Sequence, residues 1–314
     1  MAWRLYSLDL SRLEGTAGEV LSGAPEGAEE GYPASFQPLE EPWEARRADP
    51  VPWPEPLYFV DGRERGEAVL SDGRRLALLG CVAAGAVVYQ QGNMRLLETR
   101  VRRVGVGLEE ALRLGELVYE PLPLEGPPSP GDVLTALQEG LRKARTLLEE
   151  KLAGALTGGL LVVDGPVRLR RQGPVLGYIK THWARYLPED REALLSTLKP
   201  GERTPMFRVR RKGQELASWY LRLPLPPEGV RPPESGLLRV ETPLQGDFGA
   251  LADLSLSLFP ALASHPVKDP RAPQNLLPVG GLERELSRRM GSREVVARIL
   301  ARHQDSLSAD LGGG

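Results

Sequence analysis

Two apolar segments that lie far apart in the chain both run into the dipeptide Asp-Gly, and this pairing is the feature that most constrains the fold. The first segment spans Leu57 to Gly62 and contains Asp61, and the second spans Gly159 to Pro166 and contains Asp164. A short apolar run bounded by a turn signal is typical of a buried strand. We therefore predict two buried strands, each of which ends in an acidic turn.

Three further strands and two helices are predicted around this pair. Leu76–Tyr89 and Arg95–Val104 have strand-like patterns, and short glycine-containing links favour an antiparallel meander with the first strand. Helical patterns follow at Leu108–Tyr119 and at Asp132–Leu156, where leucines recur on one face. A fifth strand is predicted at Pro174–Lys180.

This order of three strands, helices and two more strands is the layout of the ribonuclease-H-like fold. The predicted fold class is α/β, with a mixed five-stranded sheet, flanking helices and a C-terminal helical extension. The later elements are strands and then helices, predicted at Thr204–Arg210, Ala217–Leu223, Gly236–Glu241, Gly246–Ser264 and Leu282–Arg302.

The chain divides into three predicted parts. Residues 1–56 form an extended, proline-rich N-terminal arm, in which Trp43 and Trp53 pin the arm to a core or to a partner. Residues 57–200 form the ribonuclease-H-like core, and residues 201–314 supply C-terminal strands and helices that complete the domain.

The two aspartates are the candidate catalytic residues. A single Asp-Gly is most often only a turn, but neighbouring strands of this fold would bring Asp61 and Asp164 together at one sheet edge. Close carboxylates repel one another unless cations lie between them, and all-oxygen sites favour Mg²⁺ or Mn²⁺. Two such ions, roughly 4 Å apart, can drive phosphodiester hydrolysis.

A glutamate on the long helix would complete the carboxylate cluster. Three candidates are present, Glu139, Glu149 and Glu150. Glu149 follows Leu148 of the apolar face and lies near the edge of that face, from which a side chain can reach the sheet. Glu150 lies about 100° further round the helix. We favour Glu149 and leave the other two open, because isolated helix glutamates are mostly solvated.

Several motifs resemble, in their order, those of the NurA family of nucleases. The first three are Tyr58–Gly62, Leu161–Pro166 and Gly177–Lys180. The distal segment Phe259–His265 is similar to the family's proline-then-histidine block. Two later segments resemble the tail of its bacterial branch, Asp269–Leu276 and Gly281–Leu286. The resemblance spans roughly Leu57 to Leu300.

The resemblance implies a Mn²⁺-dependent enzyme that degrades DNA from 5′ to 3′, cuts single strands and takes part in DNA end resection and repair. It also implies a homodimer that docks on a hexameric HerA-type ATPase. Carried over by position, Asp61, Glu149, Asp164 and His265 would be metal ligands with catalytic roles. Lys180 would contact the phosphate. A histidine before proline is otherwise often a helix cap, which is the alternative for His265.

Composition excludes several other classes of protein. No apolar run approaches the roughly 18 to 20 residues of a membrane span, and the N-terminus lacks a signal-peptide block, so a cytoplasmic protein without membrane contact is expected. Cys81 is the only cysteine, which excludes an internal disulfide and any multi-cysteine zinc site.

Clusters of basic residues are candidate contacts for single- and double-stranded DNA, although charge runs are more often solvated faces. They are Arg100, Arg102 and Arg103, then Arg168, Arg170 and Arg171, then Arg208, Arg210, Arg211 and Lys212. The cluster beside Asp164 is the preferred one. Two rival functions stay open: a catalytically inert DNA clamp or motor adaptor, and another ribonuclease-H-like nuclease such as a junction resolvase or a ribonuclease.

Overall fold

A single mixed sheet links the strands of the described chain. The computed structural model describes residues 3–7, 36–124, 126, 132–168, 171–180, 186–211, 213–225, 235–265 and 272–303. The strands are β1 Arg4–Ser7, β2 Leu57–Ser71, β3 Leu76–Gln90, β4 Asn93–Val106, β5 Leu112–Leu114, β6 Leu117–Leu122, β7 Leu160–Asp164, β8 Val175–Ile179, β9 Phe207–Arg211, β10 Gln214–Arg222 and β11 Leu237–Pro243. The helices are α1 Val133–Ala155, α2 Glu189–Thr197, α3 Phe248–Leu262, α4 Leu277–Arg289 and α5 Arg293–Arg302.

The five predicted strands form the centre of this sheet, in the order β4-β3-β2-β7-β8. The pairs β2–β3 and β3–β4 are antiparallel, whereas β2–β7 and β7–β8 are parallel. The prediction of a five-stranded sheet was nevertheless wrong, because the described residues form eleven strands. Strands β6 and β5 extend the sheet beyond β4, and β11, β10 and β9 extend it beyond β8.

The predicted helix Leu108–Tyr119 was also wrong, because this stretch contains β5 and β6. Residues Leu117 and Tyr119 are buried while Val118 and Glu120 are exposed, which is the two-residue period of a strand. Gly115 has a φ of +59° and allows the tight turn between the two strands. The leucine spacing in this short segment fits both periods, and pairing with β4 selects the strand.

The side-chain alternation of the central strands separates two apolar layers. Val60 and Val163 belong to the layer that contains Leu148 and Leu152 of α1. Phe59 and Val162, on the other face, belong to the layer that contains the apolar residues of α3 and α4. Helix α1 therefore covers one face of the sheet at β2 and β7, and α3 and α4 cover the other.

The predicted N-terminal arm contains one strand of the sheet, because β1 pairs antiparallel with the distal part of β2. Trp53 packs on Tyr89 of β3, and Trp43 packs near Phe207 of β9. Both tryptophans thus hold the described part of the arm on the protein's own core. Strands of all three predicted parts join one sheet, and the proposed division into parts stays a prediction. None of the helices in the described ranges is long and apolar enough to cross a membrane.

A buried ion network lies in the C-terminal strands. Glu241 of β11 is fully buried and accepts hydrogen bonds from Arg211 at 2.6 and 2.8 Å and from Arg239 at 2.8 Å. It also accepts from the backbone N–H of Val167 at 2.8 Å, which ties β11 to the segment after β7. The pKa of Glu241 is lowered because these donors outweigh the burial that would raise it.

Candidate metal centre

Asp61 and Asp164 lie side by side where two parallel strands diverge. The pairing of β2 with β7 ends at Val60 opposite Val163, so each aspartate is the next residue beyond the last pair. Asp164 ends β7 as predicted, but the predicted turn at Asp61-Gly62 was wrong, since β2 continues to Ser71. Strand β2 stays paired with β3 beyond Asp61, with Gly62 opposite Ala84.

Helix α4 contributes a third carboxylate. Strand alternation places Asp61 on the same face as Phe59, and Asp164 on the same face as Val162, which is the face covered by α3 and α4. Ligand oxygens of Asp61, Asp164 and Glu283 all lie within 4.8 Å of one another. Glu283 was missed by the sequence analysis, although it lies in the tail motif Gly281–Leu286 and directly follows the buried Leu282.

The cluster is electrostatically unbalanced. The Oδ2 atom of Asp61 is buried and has no hydrogen-bond partner among the described residues. Burial raises the pKa of Asp61 well above its usual range, and the negative charges of Asp164, Glu149 and Glu283 raise it further, against the opposing charge of Lys180. A buried carboxylate oxygen without a donor, among other carboxylates, fits a site for a divalent cation.

Lys180 lies at this edge of the sheet, directly after β8. Its Nζ donates to Oδ2 of Asp164 at 2.5 Å and lies 5.3 Å from the centre of the Tyr178 ring. Tyr178 is fully buried opposite Asp164 in the β7–β8 pairing. Burial, together with the nearby carboxylates, raises the pKa of the Tyr178 hydroxyl, so it stays protonated at neutral pH.

Glu149 approaches β2 from the face opposite to that of Asp61. A Cβ atom added at Gly62 would collide with the Glu149 carboxylate, so the glycine makes room for it. Burial raises the pKa of Glu149, against the opposing charge of Arg145, which also binds Glu64. Glu149 is absent from the group of three described carboxylates that lie within 4.8 Å of one another, and its role as a metal ligand stays a prediction.

The remaining helix glutamates differ in position. Glu150 lines a cleft of about 150 Å³ together with Glu149, Asp164 and Arg168. Glu139 is exposed and is not among the residues that line this cleft.

His265 is exposed and follows the end of α3, where Ser264 donates its backbone N–H to the carbonyl of Asn275 at 3.0 Å. The described carboxylate group does not include it, and its assignment as a ligand also stays a prediction. The segment Asp269–Arg271 of the tail motif lies outside the described residues.

Most of the predicted basic clusters are used in internal contacts. Arg100, Arg102 and Arg103 form ion pairs with Glu98, Glu120 and Glu67. Arg208 and Arg210 pair with Glu215, and Arg211 pairs with the buried Glu241. Arg171 donates to four backbone carbonyls around Gly159, at distances from 2.5 to 3.3 Å. Arg170 and Lys212 lie outside the described residues, and Arg168 is exposed at the cleft beside Asp164.

A larger cavity, of about 1070 Å³, lies at the other end of the strands that carry the carboxylates. Leu160 and Val175, which begin β7 and β8, line it with Arg171 and Leu254. Its walls are mostly apolar, and none of Asp61, Asp164 and Glu283 lines it. The chemistry of the residues, rather than the size of the cavity, therefore points to the carboxylate edge as the functional site.

Comparisons with known proteins give a family and a structure of similar fold. The family model for the NurA domain matches residues 55–279, a range that includes Asp61, Glu149, Asp164, Lys180 and His265 and ends before Glu283. A crystal structure of the NurA nuclease from Sulfolobus solfataricus is similar in fold, with a TM-score of 0.51 and 11% sequence identity. That alignment covers 98% of this chain and 97% of the other. A comparison with curated proteins gives no match.

Proposed function

The chain belongs to the NurA family, and on that premise we propose that it is a metal-dependent deoxyribonuclease. The reaction would be hydrolysis of DNA phosphodiester bonds at the edge of the sheet where β2 and β7 diverge. The solved relative is named a nuclease, which supports the same class of activity for this chain.

The observation that carries the proposal is the meeting of three carboxylates around a buried oxygen that has no hydrogen-bond partner among the described residues. We assign Asp61, Asp164 and Glu283 to hold divalent cations, because cations would remove the repulsion among them and satisfy Oδ2 of Asp61. We keep Glu149 and His265 in the proposal as further ligands. The charge of Glu149 acts on Asp61 from the other face of β2 and raises its pKa.

When bound, divalent cations would supply an activated water and stabilise the leaving oxygen of the phosphodiester, as in two-metal hydrolases. The chain's own residues orient the reaction. The Lys180 ammonium lies beside Asp164. We assign it to bind the phosphate of the scissile strand. Arg168, exposed at the same cleft, is assigned to the DNA backbone.

The central strands support a ribonuclease-H-like core within the larger sheet. The order β4-β3-β2-β7-β8, an antiparallel meander followed by two parallel strands, is the arrangement predicted for that fold. The outer strands would then be additions on both sides of the core. An all-oxygen ligand set suits Mn²⁺ or Mg²⁺, and we propose Mn²⁺ as the working metal on the basis of the family resemblance.

The wider biological role in the proposal rests on family membership. We propose that the protein degrades DNA from 5′ to 3′ and cuts single strands in the cytoplasm, as a homodimer that works with a hexameric HerA-type ATPase in end resection and repair. Single- and double-stranded DNA would both be substrates.

The test is degradation of end-labelled single- and double-stranded DNA in Mn²⁺, with and without the ATPase. We expect Asp61→Asn, Asp164→Asn and Glu283→Gln each to lower the cleavage rate at least about 10³-fold, because each removes charge that holds the cations. Glu285→Gln is the matched control, since Glu285 lies on the same helix and binds only Arg288 and Arg289 in the described contacts. Its cleavage rate should equal that of the wild type.

Parallel variants decide which helix glutamate takes part. Glu149→Gln should lower the rate strongly, whereas Glu150→Gln and Glu139→Gln should not. A wild-type protein that cuts no DNA even with the ATPase would overturn the proposal in favour of an inert clamp or adaptor. Preferential cleavage of RNA–DNA hybrids or of junctions would favour another ribonuclease-H-like nuclease.

A further inference from the structure

Two consecutive amide side chains, those of Gln274 and Asn275, form hydrogen bonds to the backbone and to the ammonium of Lys180. Gln274 donates its Nε2 to the backbone carbonyl of Lys180 at 3.4 Å and to the carbonyl of Leu237 at 3.1 Å. Asn275 accepts a hydrogen bond from the Lys180 ammonium at its Oδ1, at 2.8 Å. Both the backbone and the charged end of this lysine are therefore positioned by the segment that precedes α4.

Asn275 also reaches the carboxylate contributed by α4. Its Nδ2 donates to Oε2 of Glu283 at 3.4 Å, and the residue is fully buried. An ammonium only donates and an ionised carboxylate only accepts, so one orientation of the amide satisfies both neighbours. Asn275 thus forms hydrogen bonds both to Lys180 and to Glu283, a member of the carboxylate cluster.

We propose that Asn275 is a positioning residue for the metal centre, and that it acts through Lys180 and Glu283 to keep Asp164 available to a divalent cation. This inference rests on the proposed function, because it assumes that the cluster binds metal. Asn275 itself is not assigned as a ligand, since its amide faces the ammonium and Glu283.

The physical reason is competition for Asp164. The Lys180 ammonium now divides its hydrogen bonds between Asp164 and Asn275. Without the amide oxygen, Asp164 would be the remaining hydrogen-bond acceptor of the ammonium among the described contacts, and the ammonium would compete more strongly with an arriving cation. Glu283 would at the same time lose its hydrogen bond from the Asn275 amide. Loss of such outer-shell partners typically lowers metal affinity or activity by about 10- to 100-fold.

The experiment measures Mn²⁺ binding to the metal-free, full-length protein by isothermal titration calorimetry, so that its readout does not depend on cleavage. Asn275→Ala should raise the Kd for Mn²⁺ about tenfold. Asn275→Ser keeps a polar group in the buried site, but serine is too short to span both neighbours, so the Kd for Mn²⁺ should rise by the same factor. This variant replaces Asn275→Ala if the alanine variant folds poorly. In cleavage assays, saturating Mn²⁺ should restore most of kcat, with the KM for DNA unchanged.

The matched control is Asn93→Ala, which alters the only other asparagine of the chain. Asn93 is exposed at the first residue of β4, and its side-chain amide donates only to the carbonyl of Gln91 in the described contacts. The Kd for Mn²⁺ should not change in this variant, and all variants should show the circular dichroism spectrum of the wild type.

A double-mutant cycle tests the route through Lys180. In a Lys180→Met background, Asn275→Ala should raise the Kd less than about threefold, because the competing ammonium is gone. An equal rise in both backgrounds, or no rise in the wild-type background, would overturn the inference while leaving the proposed function intact. A wild-type protein that binds no Mn²⁺ would overturn the proposed function and this inference with it.

Discussion

Replacement of Asp61 by asparagine should stabilise the protein when no metal is bound. The substitution keeps the shape of the side chain, removes one negative charge from the cluster and adds an amide that can donate to Asp164 or Glu283. In the wild type, Oδ2 of Asp61 is buried without a described hydrogen-bond partner, so the native carboxylate is held in an unfavourable environment. Catalysis and the stability of the metal-free protein therefore conflict at this residue.

The size of the effect follows from the spacing of the carboxylates. The ligand oxygens lie within 4.8 Å of one another, and two full charges at that limit repel by ~3.5 kcal/mol at an effective dielectric constant of about 20. Lys180 offsets part of this repulsion. We expect Asp61→Asn to raise the free energy of unfolding of the metal-free protein by about 2 kcal/mol, which is roughly 4 °C in Tm.

The direction of the pH dependence is also determined. Burial and the neighbouring carboxylates raise the pKa of Asp61 in the folded protein above its value in the unfolded chain. The folded state then binds more protons than the unfolded state, so this residue's contribution to stability is lost as pH rises from about 4 towards the raised pKa. The advantage of Asp61→Asn over the wild type should grow with pH across that window.

Urea denaturation at several pH values, with EDTA or with Mn²⁺, is the assay. Saturating Mn²⁺, at about 100 times its Kd, should stabilise the wild type by about 2.7 kcal/mol and the variant far less, so the order of stability reverses. The control is Asp72→Asn. Burial acts to raise the pKa of Asp72, but hydrogen bonds from the backbone N–H groups of Arg75 and Arg74 lower it, so its removal should destabilise. A metal-free Asp61→Asn protein no more stable than the wild type would refute the reasoning.

Three further predictions test other parts of the structure. Gly62→Ala should displace the Glu149 carboxylate and lower the rate of DNA cleavage about 10²-fold. Gly281→Ala is the control, because the added Cβ would meet open space and the cleavage rate should stay normal. Equal cleavage rates in the two variants would contradict this prediction. Glu241→Gln should cost about 3 to 5 kcal/mol in urea denaturation, because it leaves two buried arginines without their carboxylate; a loss below about 1 kcal/mol would speak against the buried network. Burial raises the pKa of the Cys81 thiol to about 11, so at pH 8 it should react with a disulfide reagent only on unfolding, and rapid labelling of the native protein would show the strand to be misplaced.

Local patterns in the sequence were sufficient for most elements of the core. The strands β3, β4, β7 and β8 and helix α1 were predicted close to their observed bounds, because each has a clear period of two or of 3.6 residues or a continuous apolar run. The start of β2 was predicted as well, but its end was placed at Gly62 instead of Ser71. The failures came where that signal was short. Residues 108–119 contain leucines that fit either period, and only pairing with β4 made them strands.

The extent of the sheet was decided by long-range pairing. Strands β9, β10 and β11 were predicted as separate pieces, but their attachment to the edge at β8 depends on the β8–β11 pairing between Gly177 and Glu241. The local patterns of β9, β10 and β11 indicate strands but not their pairing partners, so they did not extend the predicted five-stranded core to eleven strands.

From the sequence by itself we predicted the central strands in chain order and the meeting of Asp61 and Asp164 at one edge of the sheet. Residue period gives the strands, and the layout of the ribonuclease-H-like fold places the two aspartates on neighbouring strands. Only the tertiary structure showed that a second helix, α4, brings a carboxylate to the two aspartates. Leu282 and Leu286 pack over Gly85 of β3, and this packing places α4 on the face to which Asp61 points. Glu283 therefore meets the aspartates, while Glu149 approaches from the other face of β2. A glutamate at the edge of an apolar helix face looks the same in sequence whether it faces solvent or a buried charge, and only the packing of the helix distinguishes the two.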